Sequence, residues 1–359
     1  MAALDATVMA NLQTRNVQTD NQPGGKGYIR MVEASTPNCR IITPEIEAKL
    51  KTAGGNLPTI PSLDETVITT TSTDSLTIAS NLSVSGTISV TRVNIVAGYH
   101  YYPAALQADM NQISEVDYVS QKNYECGEAM AKALEANIIT NLDANRTQVW
   151  TGTSATLTPG FTWDAGTDDL DVTIAGQTSQ PFHTIRNLFK HNKQGDNLLS
   201  CWDSMGLNRI IQEYAANGLY NAENKQNPFN IPFQAFESFE LGTPPAGSHA
   251  QGHVIKNGAI GMVPNYTYDY NQGTRTGDGY EFGVTSAALP ELGHQVGYLH
   301  RFLAVDDATT ALTATEKGYM NATARHEMQF IFRYFLLNEW SEDLTAKPGH
   351  VLRTQLLST

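Results

Sequence analysis

Tyr124, Ala131, Leu134, Ile138 and Leu142 recur at intervals of seven, three, four and four. That spacing lines one face of a 3.6-residue helix. No proline falls between Ala104 and Thr158, and Glu128 and Lys132 stand four apart on the outer side as an i,i+4 pair. The stretch from Leu106 to Arg146 therefore predicts a long amphipathic helix, about 45 Å if continuous from Glu115. A helix of that length needs something flat to lie on.

The period changes upstream. Between Thr59 and Thr91, 16 of 33 residues are Ser or Thr, and no lysine occurs between Lys51 and Lys122. Leu82, Val84, Ile88 and Val90 alternate with polar residues, as do Leu76 and Ile78, and Ser80-Asn81 supplies a turn. This predicts a long β-hairpin. Beyond Thr91 the apolar parity moves to Val93, Ile95 and Ala97, which reads as a bulge near Arg92. A two-stranded ribbon with a polar surface is marginal alone, so it is expected to lie on a neighbouring subunit.

Before the hairpin, Met1 to Gly27 is polar and reads as an extended arm. Thr43 is a good N-cap ahead of Pro44, predicting a short helix that stops at Gly54-Gly55. After the long helix, Trp150 to Pro181 reads as a hairpin or inserted loop. Next come a helix over Phe182 to Lys193, a strand over Asn197 to Trp202 and a helix over Gly206 to Tyr220. Phe233 to Gly242, His253 to Pro264 and Tyr280 to Thr285 read as strands or strand ends separated by Gly/Pro turns. Met320 to His326 resembles a helix end. From Met328 both faces of a strand are apolar apart from Arg333, as in a strand buried on both sides. A last, shorter strand follows the turn at Lys347-Pro348-Gly349.

Composition narrows the function classes. At 359 residues the chain can bury substantial cores without staples. Cys39, Cys126 and Cys201 are widely spaced, with no CxxC, which fits neither a disulfide framework nor a structural zinc site and suits a reducing site of synthesis. The N-terminus has no signal-peptide core and no apolar run approaches a membrane span, so a soluble chain is expected. Net charge is -13, from 23 bases against 36 acids, which opposes direct reading of nucleic acid. Charged residues make up only 16%, a balance suited to a surface largely covered by other subunits.

Candidate chemistry is sparse. Gly24-Gly25-Lys26-Gly27 is not a Walker loop, because Gly27 and Tyr28 stand where Ser or Thr is needed. Asp164, Asp168, Asp169 and Asp171 miss the Ca²⁺-loop pattern. His249 and His253 sit in a Gly/Pro-rich stretch read as a loop, His183 and His191 have no evident third ligand, and His294 and His300 flank a glycine-containing stretch; all six read as plain surface or core residues. Glu339 with Glu342 and Asp306 with Asp307 read as solvated charges. There is no GxSxG, no GxGxxG after a strand, and no motif around Cys201. No catalytic, cofactor-binding or metal-binding residue is assigned, no cofactor is implied, and a non-enzymatic protein is expected.

The order of these parts, over essentially the whole chain, resembles the tailed-bacteriophage major capsid protein. The resemblance lies in architecture and in no signature motif. It implies an α+β, HK97-like capsid fold: an N-terminal arm and short helix over residues 1–58 and an extended hairpin loop over 59–98. A peripheral domain with its spine helix and an inserted loop would span 99–181, an axial domain 182–287, and a return to the peripheral domain 288–359. It further implies self-assembly into pentamers and hexamers of an icosahedral virion shell made in the host cytoplasm and enclosing double-stranded DNA without sequence-specific binding. Scaffolding, portal and decoration proteins would be the partners, and no membrane is involved. The hairpin has no lysine, so the covalent crosslinking of some members is not expected. Some members begin with a long cleaved scaffolding segment, whereas this arm begins close to Met1, so by the resemblance scaffolding comes from a separate protein or the sequence is a mature form. An encapsulin-like nanocompartment is the rival in the same structural class. The Thr-rich strands and the aromatic run Tyr266 to Tyr270 also suggest a carbohydrate-binding surface adhesin.

Overall fold

The computed structural model describes residues 26–52, 60–63, 85–88, 90, 92–102, 115–146, 150, 159–178, 181–195, 197–216, 233–265, 275–277, 280–289, 292–303, 325–339 and 350–358. The chain begins with helix α1 (Gly27–Ser35), a 3-10 turn (Thr36–Asn38) and α2 (Pro44–Thr52). Strands β1 (Ile60–Leu63), β2 (Ser85–Ile88) and β3 (Arg92–Tyr101) lead to the long helix α3 (Glu115–Ala144). Then come β4 (Phe161–Asp164), β5 (Asp169–Val172), α4 (Ile174–Gln177), α5 (Pro181–His191), β6 (Leu198–Trp202) and α6 (Ser204–Ala216). The remainder is strand: β7 (Phe233–Glu237), β8 (Ser248–Lys256), β9 (Ile260–Pro264), β10 (Arg275–Gly277), β11 (Tyr280–Leu289), β12 (His294–Leu303), β13 (Arg325–Asn338) and β14 (Val351–Leu357).

The expected long helix is present as 30 unbroken residues, with Glu115 and Asp117 in the first turn, where the helix dipole favours acids. Its buried stripe is Val119, Cys126, Met130, Leu134, Ile138 and Leu142, at spacings of seven and then four, joined by Ala131. Tyr124 is only half-buried, and Glu128 pairs with Lys26 at 3.3 Å instead of the expected Lys132.

The surface beneath α3 is a six-stranded sheet in the order β10-β11-β12-β13-β3, with β9 pairing along the rest of β13. Val93, Ile95, Ala97, Tyr99 and Tyr101 of β3 stand opposite Tyr334, Phe332, Phe330, Met328 and His326 of β13, forming one continuous apolar and aromatic face. Two polar ties hold the helix to it: Tyr99 OH donates to Asn123 Oδ1 at 2.6 Å, and Asn137 Nδ2 donates to Tyr334 OH at 2.9 Å. The apolar parity read from Val93 onward is thus the parity of the covered face. Between β2 and β3 the described residue Val90 lies in neither strand and is buried.

A second sheet runs β4-β5-β14-β8-β6-β7. Its core combines α5 (Phe182, Ile185, Leu188, Phe189) with Trp202, Ile210 of α6, Val254, Leu352 and Leu356. The stretch after α3 read as a hairpin or inserted loop contains a hairpin, Asp164 opposite Asp169, and β5 also joins the sheet by parallel pairing with β14. Three readings are corrected. The last strand does not return beside β13; it lies between β5 and β8. The single strand expected over His253 to Pro264 is two, with β8 in the second sheet and β9 in the first. Residues 325–326 belong to strand β13, where a helix end was expected.

Helix α1 joins the two halves, touching α3, β6, β7 and β9. Residue 27 was expected to close a loose arm, yet Gly27, Tyr28, Ile29, Met31, Val32 and Ser35 are all buried. A Cβ at residue 27 would lie 2.2 Å from the Glu237 carbonyl, so only glycine admits this approach. Helix α2 appears as expected, capped where Ile46 N–H donates to Thr43 Oγ1 at 3.3 Å.

Candidate functional site

Strands β1 and β2 form a two-stranded sheet, with Ile60 opposite Ile88 and Leu63 opposite Ser85. A ribbon is therefore present, but the described partner of residues 85–88 is residues 60–63, where residues 76–78 were expected. The turn at Ser80-Asn81 and the strand at Leu76 to Ile78 fall outside the described residues, as do Asp306, Asp307, Glu342 and Tyr266 to Tyr270. A two-stranded ribbon buries too little to be stable by itself.

The sheet that carries β3 has a face turned away from α3. In register across it stand Val96 with Ile331 and Gly297, Gly98 with Gln329 and Leu299, and His100 with Glu327. Val96 is 52% exposed, and Gln329, Ile331, Arg333 and Leu299 are only half-buried. This revises the expectation of a strand covered on both sides. Among the described residues, the end of β13 is so covered, where Phe335 and Leu337 pack with Leu50. A shallow groove of about 420 Å³ crosses the face, lined by Gly98, His100, Leu299, Glu327 and Gln329 among others. A side chain at Gly98 would meet the Met328 carbonyl at 2.7 Å.

Beneath α1 the interior is polar. Glu135, 1% exposed on the buried side of α3, accepts from Ile29 N–H at 2.7 Å and from Ser238 Oγ at 2.6 Å. Burial pushes its carboxyl above the ordinary range, against the pull of those hydrogen bonds. Close by, His253 Nδ1 lies 2.6 Å from Tyr28 OH, and its Nε2 lies 3.0 Å from Asp143 Oδ1. Arg146 pairs with Asp169, which also accepts from Gln355. Arg353 lies 3.5 Å from Asp143 and 3.7 Å from Asp169.

His253 is thus a core histidine on a strand, as the strand reading from His253 had it, and its i,i+4 companion His249, expected in a loop, is half-buried on the same strand. His183 and His191 are the third and last residues of α5, His294 faces Glu33 at 3.2 Å, and His300 Nε2 meets His326 Nδ1 at 2.9 Å. Asp164 caps its own hairpin turn through Gly166 N–H and Thr167 Oγ1. Glu339 faces Arg40 at 3.9 Å, Lys26 is the partner of Glu128, and Cys201 is buried. Among the described residues, no group of three or more His, Cys, Asp or Glu is placed to hold a metal ion. Likewise, no described helix is long and apolar enough to cross a membrane.

Sequence reasoning placed His253 among surface or core residues without its partners, and missed Tyr28, Glu135, Asp143 and Arg353. One signal was available: Glu135 directly follows Leu134 inside the apolar stripe, a charged residue where the helix pattern calls for burial.

No family model and no curated relative matches the chain. Solved structures do. A chain of "Mycobacterium phage Cain" is 11% identical with TM-score 0.44, covering 84% of this chain and 86% of that one. "Capsid of Ralstonia phage GP4" is 10% identical with TM-score 0.42, over 87% and 86%. "Mycobacterium phage Bobi" is 10% identical with TM-score 0.42, over 88% and 91%. Likeness at this level leaves the functional argument to the geometry of the chain itself.

Proposed function

We propose that this protein is the subunit of a self-assembling shell, the major capsid protein of a tailed bacteriophage, forming pentamers and hexamers around double-stranded DNA. One observation carries the reading. A single chain presents a ribbon, β1–β2, that pairs only with itself among the described residues, and a sheet face on which Val96 is exposed and Ile331 half-buried. Giver and receiver occupy different places on one subunit, so contacts between copies are head-to-tail and propagate into rings and closed shells. The remaining architecture supplies the stiffness such contacts need, with α3 as a spine clamped to the first sheet. In this reading the hairpin within 59–98 overlies a neighbour and the first sheet with α3 is the peripheral domain. The second sheet with α5 and α6 faces the five- and six-fold centres, and scaffolding, portal and decoration proteins join during assembly. The acidic balance, -13, keeps the wall from trapping the DNA it encloses.

Electron microscopy and light scattering of the purified protein test this directly. Uniform closed particles or hexameric rings of megadalton mass are expected. Deleting residues 64–90 should leave a folded, soluble subunit that forms no closed particle. A monomer or dimer that persists across salt conditions and with a scaffolding partner would overturn the proposal, as would normal particles from the deletion. Closed particles that protect protein cargo in place of nuclease-resistant DNA would make the shell a nanocompartment.

A further inference from the structure

Helix α1 is held by groups whose protonation states differ in kind. At its first turn, Tyr28 and His253 are both 0% exposed, and the chain Tyr28 OH, His253 Nδ1, His253 Nε2, Asp143 Oδ1 has links of 2.6 and 3.0 Å. The Asp143 carboxylate accepts only, so Nε2 carries the hydrogen and Nδ1 accepts from the Tyr28 hydroxyl. The neutral imidazole is therefore fully satisfied. A proton from solvent added at Nδ1 turns that acceptor into a donor facing a donor. Tyr28 must then rotate its hydroxyl hydrogen away, into a site sealed from water.

The surroundings do not welcome the added charge. From α3, Asp143 and Arg146 face the ring region; from β14, Arg353; from β5, Asp169; from β6, the Cys201 thiol on the residue paired across from His253; from α1, Tyr28 itself. Two carboxylates are already balanced by two guanidiniums, so an imidazolium would share Asp143 with Arg146 and Arg353 and leave the cluster with a net positive charge. Burial lowers the His253 pKa below its ordinary value, and the opposing pull of Asp143 does not restore it. The Glu135 contact of α1 does not open in acid, because protonated Glu135 still accepts from Ile29 N–H through its carbonyl oxygen. Asp143 is held below the ordinary carboxylate value by His253, Arg353 and Arg146 despite its burial, so it remains ionised throughout mild acid.

We propose that the Tyr28–His253–Asp143 chain is an acid-released latch: protonation of His253 disengages Tyr28 and frees the first turn of α1 from the groove between α3 and the second sheet, while both sheets stay folded. A histidine with a depressed folded pKa stabilises the docked state above its unfolded value of about 6.5, and that stabilisation drains away as pH falls below it. Because α1 touches α3, β6, β7 and β9, its release loosens the junction between the two sheets.

Amide hydrogen exchange on the full-length chain tests the latch, with rates corrected for intrinsic pH dependence. Between pH 7 and pH 5, protection over residues 27–35 should fall about tenfold or more, while that of residues 328–336 in β13 holds. Tyr28→Phe removes the hydroxyl but keeps the ring. It should show about tenfold lower protection over 27–35 at pH 7 already, the loss of one buried hydrogen bond, and little further change on acidification. His253→Gln should be flat across the range. Unchanged protection of 27–35 in the parent down to pH 5 would overturn the proposal, as would a parent-sized acid step in either variant or simultaneous opening of β13. If His253→Gln does not fold, the parent and Tyr28→Phe decide the matter.

Discussion

Glu135→Ala isolates what one buried carboxylate does for the junction of helix and sheets. The substitution removes the acceptor for Ile29 N–H and for Ser238 Oγ at a position 1% exposed. Each buried donor left unpaired costs about 1–3 kcal/mol, and the vacated space adds about 1 kcal/mol. Removing a group whose ionised form burial disfavours returns part of that. The net is a loss of about 3 kcal/mol, or about 1 M in the urea midpoint at a slope of about 3 kcal/mol/M. Glu135→Gln keeps one acceptor for Ile29 and presents an amide that Ser238 can accept from by rotating, so it should stay within about 1 kcal/mol of the parent. The pH dependence carries a sign. Burial raises the Glu135 pKa, so its contribution is full below the ordinary carboxylate value and is lost as pH rises through the folded value. Glutamine does not titrate, so the Gln variant should gain on the parent between pH 4 and pH 7. Urea unfolding of unassembled subunits at fixed concentration provides the assay. A loss below about 1 kcal/mol for Ala, or a Gln variant as damaged as the Ala variant, would refute the reasoning.

Other expectations are simpler. Leu134→Ala, at a fully buried site on the spine helix, should cost about 2–5 kcal/mol in the same urea assay. Gly252→Ala places a Cβ 2.4 Å from Trp202 Cδ2 and Cε3, and should cost at least about 1 kcal/mol while red-shifting tryptophan emission as that ring is displaced. The buried thiols Cys39, Cys126 and Cys201 are all pushed up by burial, Cys126 to about 11. At pH 8 the native protein should therefore resist a disulfide-exchange reagent that titrates all three in denaturant. Val96→Glu, on the sheet face turned away from α3, should leave the urea midpoint within about 0.5 kcal/mol of the parent yet abolish closed particles under assembly conditions.

The sequence by itself determined the elements whose periodicity is long and strict. The stripe from Ala131 to Leu142 located α3, the parity of Val93, Ile95 and Ala97 gave the covered face of β3, and the apolar run from Met328 gave β13. The Thr43-Pro44 cap likewise placed α2, because a cap is chemistry between neighbours in the chain.

Only the tertiary structure decided what each covered face meets. Periodicity says that one side of a strand is buried, yet β14 could satisfy its pattern beside β13 or between β5 and β8, and non-local packing chose the latter. Helix α1 gave no signal because its 9 residues are too few to set a period and glycine at residue 27 reads as a breaker. The close approach to the Glu237 carbonyl that requires this glycine exists only after folding. The Tyr28–His253–Asp143 chain joins residues 225 and 110 positions apart, so its hydrogen bonds had no trace in spacing. Local sequence fixes which groups prefer to be dry, while the pairing of dry polar groups depends on loop closures that only the folded chain completes.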